Sequence, residues 1–235
     1  MSINGNRILD NVSFSLAKGS FAAMCGRNGA GKSQLLRCIK GLRKPDSGRI
    51  LIDGSEADGK TSMKRIALVF QNAEMQVVSQ SVEKDIAFGP ENMGLDKAEI
   101  ARRVDNALNL MNLKDKARQR PQTLSGGELR KCAIAGIIAM EPDVILLDEP
   151  FANLDYLSTI AVIRALDTLH DKGYTILVVS HEAEKFLAHT DTLLVMDSGS
   201  VREAGSSREI FSRLPDYDIY IPRNASFEEL SWLRH

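Results

Sequence analysis

The sequence has few of the features that mark secreted, metal-binding or membrane-spanning chains. Among 235 residues there are three cysteines, Cys25, Cys38 and Cys132, and no two of them form a CxxC pair. Their apolar surroundings favour buried thiols in a reducing compartment over disulfides or metal ligands. No signal-peptide pattern opens the chain, and the longest apolar run, Cys132–Met140, is too short to cross a bilayer. We therefore expect any membrane role to require a partner protein.

An excess of charge of one sign is also missing. The 30 basic and 31 acidic residues give a formal net charge of −1, which argues against a surface built to coat nucleic acid. Hydrophobic residues make up 43% of the chain, enough for a sizeable core. The length suits one large α/β domain, or one domain with an inserted lobe.

The chain does contain a glycine-rich phosphate loop. It fits the pattern G-x-x-x-x-G-K-[ST] with Gly26, Arg27, Asn28, Gly29, Ala30, Gly31, Lys32 and Ser33. Glycines allow successive backbone N–H groups to point at phosphate oxygens. Lys32 would reach the β- and γ-phosphates of a nucleotide, and the Ser33 hydroxyl can ligate Mg²⁺.

The flanks of this loop support the same interpretation. Phe21–Cys25 is typical of a buried strand, and Gln34–Lys40 is typical of a helix whose positive N-terminal end faces the phosphates. The alternative is a glycine-rich turn that happens to carry Lys-Ser. The order of strand, loop and helix disfavours it.

A second cluster follows an apolar strand. Val144–Leu147 leads directly into Asp148 and Glu149. At the carboxyl end of a strand, Asp148 is placed to hold Mg²⁺ through water, and Glu149 to orient or deprotonate an attacking water. Taken alone, an ordinary strand with a solvated acidic turn is the better interpretation. Beside a phosphate loop, the catalytic interpretation is better.

A third cluster is a possible second anion-binding corner. Ser125, Gly126 and Gly127 precede the helical run Leu129–Met140, and a helix N-terminus with small residues attracts anions. The alternative is a plain N-cap with a glycine turn. Two phosphate-binding corners in one chain suggest that two chains face each other and complete each other's site.

Further strands and helices are predicted around these clusters. Strands are expected at Asn11–Leu16, Arg49–Gly54, Arg65–Phe70 and Tyr174–Ser180, and the nearly all-apolar members suit a parallel sheet covered on both faces. Helical character dominates from about residue 80 to 128, with Asp96 as an N-cap. The chain after about residue 212 is less regular, and its pattern indicates no role.

Together these motifs resemble the ATP-binding-cassette (ABC) ATPases over nearly the whole length. The matching segments keep the family's order and roughly its spacing: Walker A at Gly26–Ser33, the Q-loop at Gln71, the signature at Leu124–Glu128, Walker B at Val144–Glu149, the D-loop at Ala152–Asp155 and the switch histidine at His181. Any one motif alone is weak, but the signature with Walker A and Walker B is highly specific.

The resemblance implies an α/β fold. Its expected parts are a P-loop NTPase core with a mostly parallel sheet, an antiparallel β subdomain and an inserted α-helical lobe. Residues 1–235 would form a single ABC ATPase domain. The RecA-like core would cover about 1–75 and 140–212, the helical lobe about 76–139, and the C-terminal tail about 213–235.

The resemblance also implies an ATP-hydrolysing site. Two cassettes, as a homodimer or a heterodimer with a paralogue, would pack head to tail and hold ATP between Lys32 of one and Ser125 of the other. Glu149 would be the general base, His181 would contact the γ-phosphate, and Gln71 would link the metal site to the helical lobe. The cofactor Mg²⁺ would be held by Ser33, Gln71 and Asp148. The rest of the nucleotide site would comprise residues 26–33, Gly126, Gly127 and Asp155, the last helping to align the dimer.

A narrower resemblance points to one transporter type. Gln71–Gln76, Val82–Asn92 and Ala133–Pro142 are similar to the ATPases of energy-coupling-factor transporters, which import vitamins or transition-metal ions such as cobalt and nickel. It implies a transmembrane coupling protein and a substrate-binding membrane subunit as partners. The chain would then lie at the cytoplasmic face of the membrane and bind no nucleic acid.

Three alternatives and two departures from the family pattern stay open at this stage. The alternatives are an ATPase of another ABC transporter type, an ABC protein acting on nucleic acid or ribosomes, and a regulatory ATP-binding module without turnover. Where the family has an adenine-stacking aromatic residue, this chain has Ile3, which predicts either a weaker adenine contact or a start codon called too late. Phe151–Asp155 departs from the usual D-loop but keeps Asp155.

Overall fold

The computed structural model describes residues 1–3, 5–72 and 76–233. Within these ranges it contains ten strands and seven α-helices. In chain order they are β1 (Ser2–Ile3), β2 (Asn6–Arg7), β3 (Phe21–Cys25), α1 (Lys32–Ile39), β4 (Leu51–Ile52), β5 (Ser55–Glu56), α2 (Gly59–Arg65), β6 (Ile66–Val69), α3 (Val82–Asn92), α4 (Lys97–Leu110), α5 (Gly126–Ile138), β7 (Val144–Asp148), α6 (Tyr156–Asp171), β8 (Thr175–Val179), β9 (Thr192–Asp197), β10 (Ser200–Ser206) and α7 (Ser207–Ile210). Short 3₁₀ turns connect several of them, and the longest covers Phe211–Tyr217.

A six-stranded sheet forms the centre, in the order β10-β9-β3-β8-β7-β6. All neighbouring pairs are parallel except β10 with β9, which is antiparallel. Every residue of β3 and β8 is buried, as their apolar sequences predict for parallel strands covered on both faces. The predicted mostly parallel sheet is confirmed.

Outside the central sheet, the described chain has two separate antiparallel hairpins, β1 with β2 and β4 with β5. The strand expected at Asn11–Leu16 is wrong. Its residues alternate between exposed and half-buried, with Phe14 and Leu16 packed against the core, but the segment pairs with no strand of the described chain. The alternation in the sequence indicates which side chains face inward. It does not indicate whether a neighbouring strand is present to supply hydrogen bonds. The strand expected at Arg49–Gly54 shortens to β4.

Two apolar clusters sandwich the sheet. Alternate residues of β3 divide between them, because successive side chains of a strand point to opposite faces. Phe21 and Cys25 belong to the cluster that includes helices α3 to α6, whereas Met24 belongs to the cluster that includes α1. All three cysteines are buried and free, as predicted.

Helices α3, α4 and α5 pack on one another, and α5 also contacts α6 and β6. Asp96 caps α4, as predicted, by accepting a hydrogen bond from the Glu99 backbone N–H at 2.9 Å. In α5, eight of the thirteen residues are buried, so this helix joins the helical group to the central sheet. Among the described residues, no helix combines the length and the apolar character needed to cross a membrane.

Candidate nucleotide-binding site

The phosphate loop connects β3 to α1 and folds tightly against its surroundings. Gly31 has φ = +98°, and a Cβ there would lie 2.8 Å from the Ile8 carbonyl oxygen. A Cβ on Gly26 would lie 2.1 Å from the Met196 carbonyl oxygen. Both positions therefore need glycine, for backbone conformation at Gly31 and for close approach at both.

Lys32 is the first residue of α1 and is buried. Its ammonium donates hydrogen bonds to the carbonyl oxygens of Gly26 at 2.5 Å and Arg27 at 3.1 Å. Burial lowers the pKa of Lys32, and the Glu149 and Asp148 carboxylates oppose that shift. Because the present acceptors are neutral, an anionic phosphate would be the stronger partner for this ammonium.

The remaining loop residues divide by exposure. Arg27, Asn28 and Gly29 are exposed, whereas Ala30 is buried. The Arg27 guanidinium pairs with the Asp218 carboxylate at 3.0 Å, with both side chains more than half exposed. Such an exposed pair contributes little to stability. A ligand or a second chain can therefore displace it at little cost and reach the outer edge of the loop.

Ser33 and Asp148 come together across the loop. The Ser33 hydroxyl donates to Oδ1 of Asp148 at 3.0 Å, although 115 positions separate them in the chain. Burial raises the pKa of Asp148, and the hydrogen bond from Ser33 partly offsets this. A hydroxyl and a carboxylate held this close are the hard oxygen donors that Mg²⁺ prefers, so the pair fits this cation.

Glu149 and His181 form the next contact along the same edge of the sheet. Glu149 adopts φ = +48° and its backbone N–H donates to the Val179 carbonyl oxygen at 2.8 Å. Oε1 of its buried carboxylate lies 3.0 Å from Nδ1 of His181, and Oε2 accepts the Ser180 hydroxyl at 3.1 Å. Both carboxylate oxygens are thus held, while the His181 side chain stays 47% exposed.

Gln71 follows β6 at this same edge, because β6 and β7 are parallel with Val69 opposite Leu147. Its side chain is exposed. Among the described residues, no hydrogen bond joins it to Ser33 or Asp148. Gln71 therefore follows the strand next to the one that ends in Asp148, and its role at the metal site stays a prediction. Residues 73–75, which belong to the narrower resemblance, lie outside the described residues.

The Ser125 corner is built as a helix cap. The Ser125 hydroxyl accepts the Glu128 N–H at 3.3 Å, and the Glu128 carboxylate accepts the Ser125 N–H at 2.9 Å. This reciprocal pair confirms the capping part of the plain N-cap interpretation. Gly126 and Gly127 occupy the first turn, whose N–H groups have no intrahelical partner. In the described chain, no hydrogen bond joins this corner to the phosphate loop.

The same corner packs against the turn that carries Asp155. A Cβ on Gly127 would lie 2.7 Å from Cβ of Ser158, and one on Gly126 would lie 3.2 Å from a methyl carbon of Leu154. Asp155 itself caps α6 by accepting the Ser158 N–H at 2.7 Å. Ser125 and Asp155 therefore lie on neighbouring packed turns, and among the described residues no hydrogen bond joins either side chain to the phosphate loop.

Comparison with known proteins agrees with this geometry. The profile of the family described as ABC transporter matches residues 9–152, a range that includes the phosphate loop, Gln71, Ser125 and both acidic residues Asp148 and Glu149. This chain belongs to the ABC transporter family.

Individual relatives show which kinds of ABC protein this chain is similar to. The chain is 36% identical over 235 residues to the energy-coupling factor transporter ATP-binding protein EcfA of Methanocaldococcus jannaschii, covering 97% of this chain and 84% of that protein. It is 39% identical over 233 residues to EcfA2 of Clostridioides difficile, covering 93% and 80%. Its structure matches cbiO1 from Clostridium perfringens, a part of the ABC transporter complex cbiONQ, with a TM-score of 0.83, 34% identity and coverage of 94% and 91%.

Sequence reasoning about this ABC protein missed two residues that shape the site. Arg130 of α5 is buried, and its guanidinium donates to the Phe70 carbonyl oxygen at 2.9 Å, which ties α5 to the residue before Gln71. A lone arginine inside a mostly apolar helix was the available signal. Ser180 bridges Glu149 and the Glu182 N–H, which its hydroxyl accepts at 3.1 Å. Its position directly before His181 was the only hint.

Proposed function

We propose that this chain is the ATP-binding and ATP-hydrolysing subunit of an energy-coupling-factor importer. The observation that carries the proposal is the pairing of Ser33 with Asp148 and of Glu149 with His181, each at 3.0 Å, at one edge of the sheet. The first pair suits a metal–phosphate complex, and the second suits a base that removes a proton from water. The identities of 36–39% to EcfA proteins support the transporter type.

In this proposal the chain's own residues divide the work. Lys32 exchanges its two carbonyl acceptors for phosphate oxygens, and the loop N–H groups surround the rest of the phosphate chain. Ser33 and Asp148, with Gln71 nearby, would hold Mg²⁺, which supplies charge neutralisation at the phosphates. Glu149 accepts a proton from the attacking water, and His181 contacts the terminal phosphate.

A second chain, identical or a paralogue, completes the site. The Ser125 corner packs against the turn that carries Asp155, and within the part of the chain that the structure describes neither is hydrogen-bonded to the phosphate loop. In a head-to-tail pair, the Ser125 hydroxyl and the free N–H groups of Gly126 and Gly127 would meet the phosphates held by the partner's loop. ATP then joins the two chains, and its hydrolysis releases them.

The proposed membrane partners are a transmembrane coupling protein and a substrate-binding subunit for a vitamin or a metal ion such as cobalt or nickel. The similar protein cbiO1 is part of a complex, cbiONQ, which supports an assembly of this kind. Two large apolar side chains that follow Gln71 in the sequence are exposed, Val78 at 66% and Phe88 at 51%. We assign them to the surface that docks on the coupling protein, at the cytoplasmic face of the membrane.

Co-purification from native membranes tests this function. A tagged full-length chain should retain integral membrane proteins and show ATP hydrolysis, and Phe88→Glu should release those proteins while nucleotide binding persists. Met63→Glu is the matched control, because Met63 is also an exposed apolar residue (45%) but lies on α2. Failure of the unmodified chain to recover any membrane protein would overturn the transporter assignment. Equal release by both variants would overturn the assigned surface.

A further inference from the structure

Trp232 is the only tryptophan of the chain and lies in the irregular C-terminal segment for which the motifs gave no role. Its backbone N–H donates to the Lys185 carbonyl oxygen at 2.8 Å. The Lys185 ammonium lies 4.7 Å from the centre of the indole ring. The centre of the Trp232 ring also lies 5.4 Å from the centre of the Tyr156 ring. The Tyr156 hydroxyl donates a hydrogen bond to the Trp232 carbonyl oxygen at 3.2 Å. One residue thus contacts two segments that are distant in sequence.

The Lys185 contact leads to the proposed general base. Lys185 is 8% exposed and forms an ion pair with Glu182. The Glu182 N–H donates to the Ser180 hydroxyl oxygen, and that hydroxyl donates to the Glu149 carboxylate, both at 3.1 Å. A buried ammonium needs all its partners, so the indole face and the Glu182 carboxylate together fix the segment behind Glu149 and His181.

The Tyr156 contact leads to the proposed dimer surface. Tyr156 is the first residue of α6, directly after Asp155. Its ring and hydroxyl both touch Trp232. The neighbours of Trp232 in the sequence are themselves held in place. Oγ of Ser231 lies 2.6 Å from Nε2 of His189, and the Ala188 N–H donates to the Leu230 carbonyl oxygen at 2.9 Å. The start of α6 is therefore braced by the same residue as the switch segment.

We propose that Trp232 is a positioning residue that holds the switch segment, residues 180–185, and the Asp155 turn in a fixed relation. This inference rests on the proposed ATP hydrolysis. The contacts of Trp232 described above are with Lys185 and Tyr156, neither of which is assigned to nucleotide binding. Its loss therefore changes the catalytic step and leaves nucleotide affinity as it was. Trp232 acts through Lys185, whose ion pair with Glu182 connects to Glu149 through the Ser180 hydroxyl.

The chain offers a matched control in the same C-terminal segment. Phe227 packs beneath the Arg208 guanidinium, 4.9 Å from its ring centre, and beside the Phe211 ring at 5.5 Å. It has the same kinds of contact as Trp232, a cation and an aromatic ring, but Arg208 and Phe211 belong to no motif. Phe227→Ala therefore removes a comparable cluster whose cation and ring contacts, Arg208 and Phe211, lie outside the switch segment and the Asp155 turn.

The first test compares steady-state ATP hydrolysis by the full chain in its membrane complex. For Trp232→Ala we expect kcat to fall between roughly 10- and 100-fold, as for a small displacement of catalytic groups, with KM for ATP unchanged. Trp232→Phe keeps an aromatic face and should restore most of kcat. Phe227→Ala should lower thermal stability with kcat unchanged. An unchanged kcat for Trp232→Ala, or an equal fall for Phe227→Ala, overturns the inference.

The second test does not depend on turnover. Amide hydrogen exchange of the nucleotide-free chain should become faster in Trp232→Ala both around residues 180–186 and around 153–158, and in neither segment for Phe227→Ala. Faster exchange in only one of the two segments overturns the linkage. If the unmodified complex hydrolyses no ATP, the proposed function fails, while the exchange result still decides for or against Trp232.

Discussion

Oε1 of Glu149 lies 3.0 Å from Nδ1 of His181, although the two residues are 32 positions apart. They meet because β7 and β8 are parallel neighbours, with Asp148 opposite Val179, so their carboxyl ends reach the same edge of the sheet. The Ser180 hydroxyl occupies the other carboxylate oxygen. A base held by two hydrogen bonds has one orientation, which is the arrangement that efficient proton transfer from a bound water requires.

Replacing this carboxylate should separate binding from turnover. For Glu149→Gln we expect ATP binding to persist and hydrolysis to fall by roughly 100-fold or more, because an amide cannot accept the proton. The trapped nucleotide should hold two chains together. Phosphate release measures the first effect, and light scattering with ATP present measures the second.

Ser180→Ala is the control for this substitution. It removes one hydrogen bond from Glu149 and leaves the base in place, so hydrolysis should fall far less than in Glu149→Gln. Turnover by Glu149→Gln at the rate of the unmodified protein would show that another group is the base.

Lys32 tests the phosphate contact itself. Its ammonium is held by two carbonyl oxygens of the loop and is ready to face an anion. Lys32→Ala should weaken ATP binding by about 10- to 150-fold, since a hydrogen bond to a charged group contributes about 1.5–3 kcal/mol. Equilibrium titration with a fluorescent ATP analogue measures the change. Affinity equal to that of the unmodified chain would place the phosphates elsewhere.

The two glycines of the Ser125 corner should differ sharply in their tolerance of a side chain. A Cβ on Gly127 meets both Cα and Cβ of Ser158 at 2.8 and 2.7 Å, whereas one on Gly126 meets only a Leu154 methyl at 3.2 Å. Gly127→Ala should lower the free energy of unfolding by about 1–3 kcal/mol. Gly126→Ala should stay within about 0.5 kcal/mol, because the Leu154 side chain can move. Urea denaturation compares them, and equal losses would contradict this packing.

Much of the site was predictable from sequence because each of its motifs is a short, local pattern. The strand–loop–helix order around Lys32 fixes where its ammonium lies, and an apolar strand ending in Asp148 and Glu149 places both at a sheet edge. The Ser33–Asp148 contact then follows from the parallel arrangement of β3, β8 and β7. Each of these inferences needed only short-range patterns and one topology.

Contacts that depend on distant segments were not predictable. The hydrogen bond from Arg130 to Phe70 spans 60 positions, and that from Tyr156 to Trp232 spans 76, and neither residue pair leaves a periodic signal. The false strand at Asn11–Leu16 failed for the related reason that alternation does not identify a partner strand. The roles of Ser125 and Asp155 stay predictions because they concern a second chain.

Asp148 predicts an unusual response of stability to pH. Burial raises its pKa above the ordinary value of an aspartate, and the nearby Glu149 carboxylate acts in the same direction, whereas Ser33, Arg37 and Lys32 oppose it. A carboxyl group whose pKa is raised by folding binds its proton more tightly in the folded state. It therefore reduces stability as the pH rises above its unfolded-state pKa, and the full reduction is present above its folded-state pKa.

Asp148→Asn removes this titration and keeps an oxygen that can accept the Ser33 hydroxyl. In the nucleotide-free and magnesium-free chain we expect the variant to be more stable than the unmodified protein at pH 7, with the difference shrinking as the pH falls toward the ordinary pKa of an aspartate. Asp155→Asn is the control of opposite sign. The Ser158 N–H lowers the pKa of Asp155, so its carboxylate stabilises the fold at neutral pH. Losing it should reduce stability slightly at pH 7, and this deficit should vanish as the pH falls through the lowered pKa. Urea denaturation of both variants from pH 8 down to about pH 2 measures the two slopes. If Asp148→Asn were less stable than the unmodified chain at pH 7, folding of the metal-free chain would favour the charged form of Asp148. That result would contradict the raised pKa.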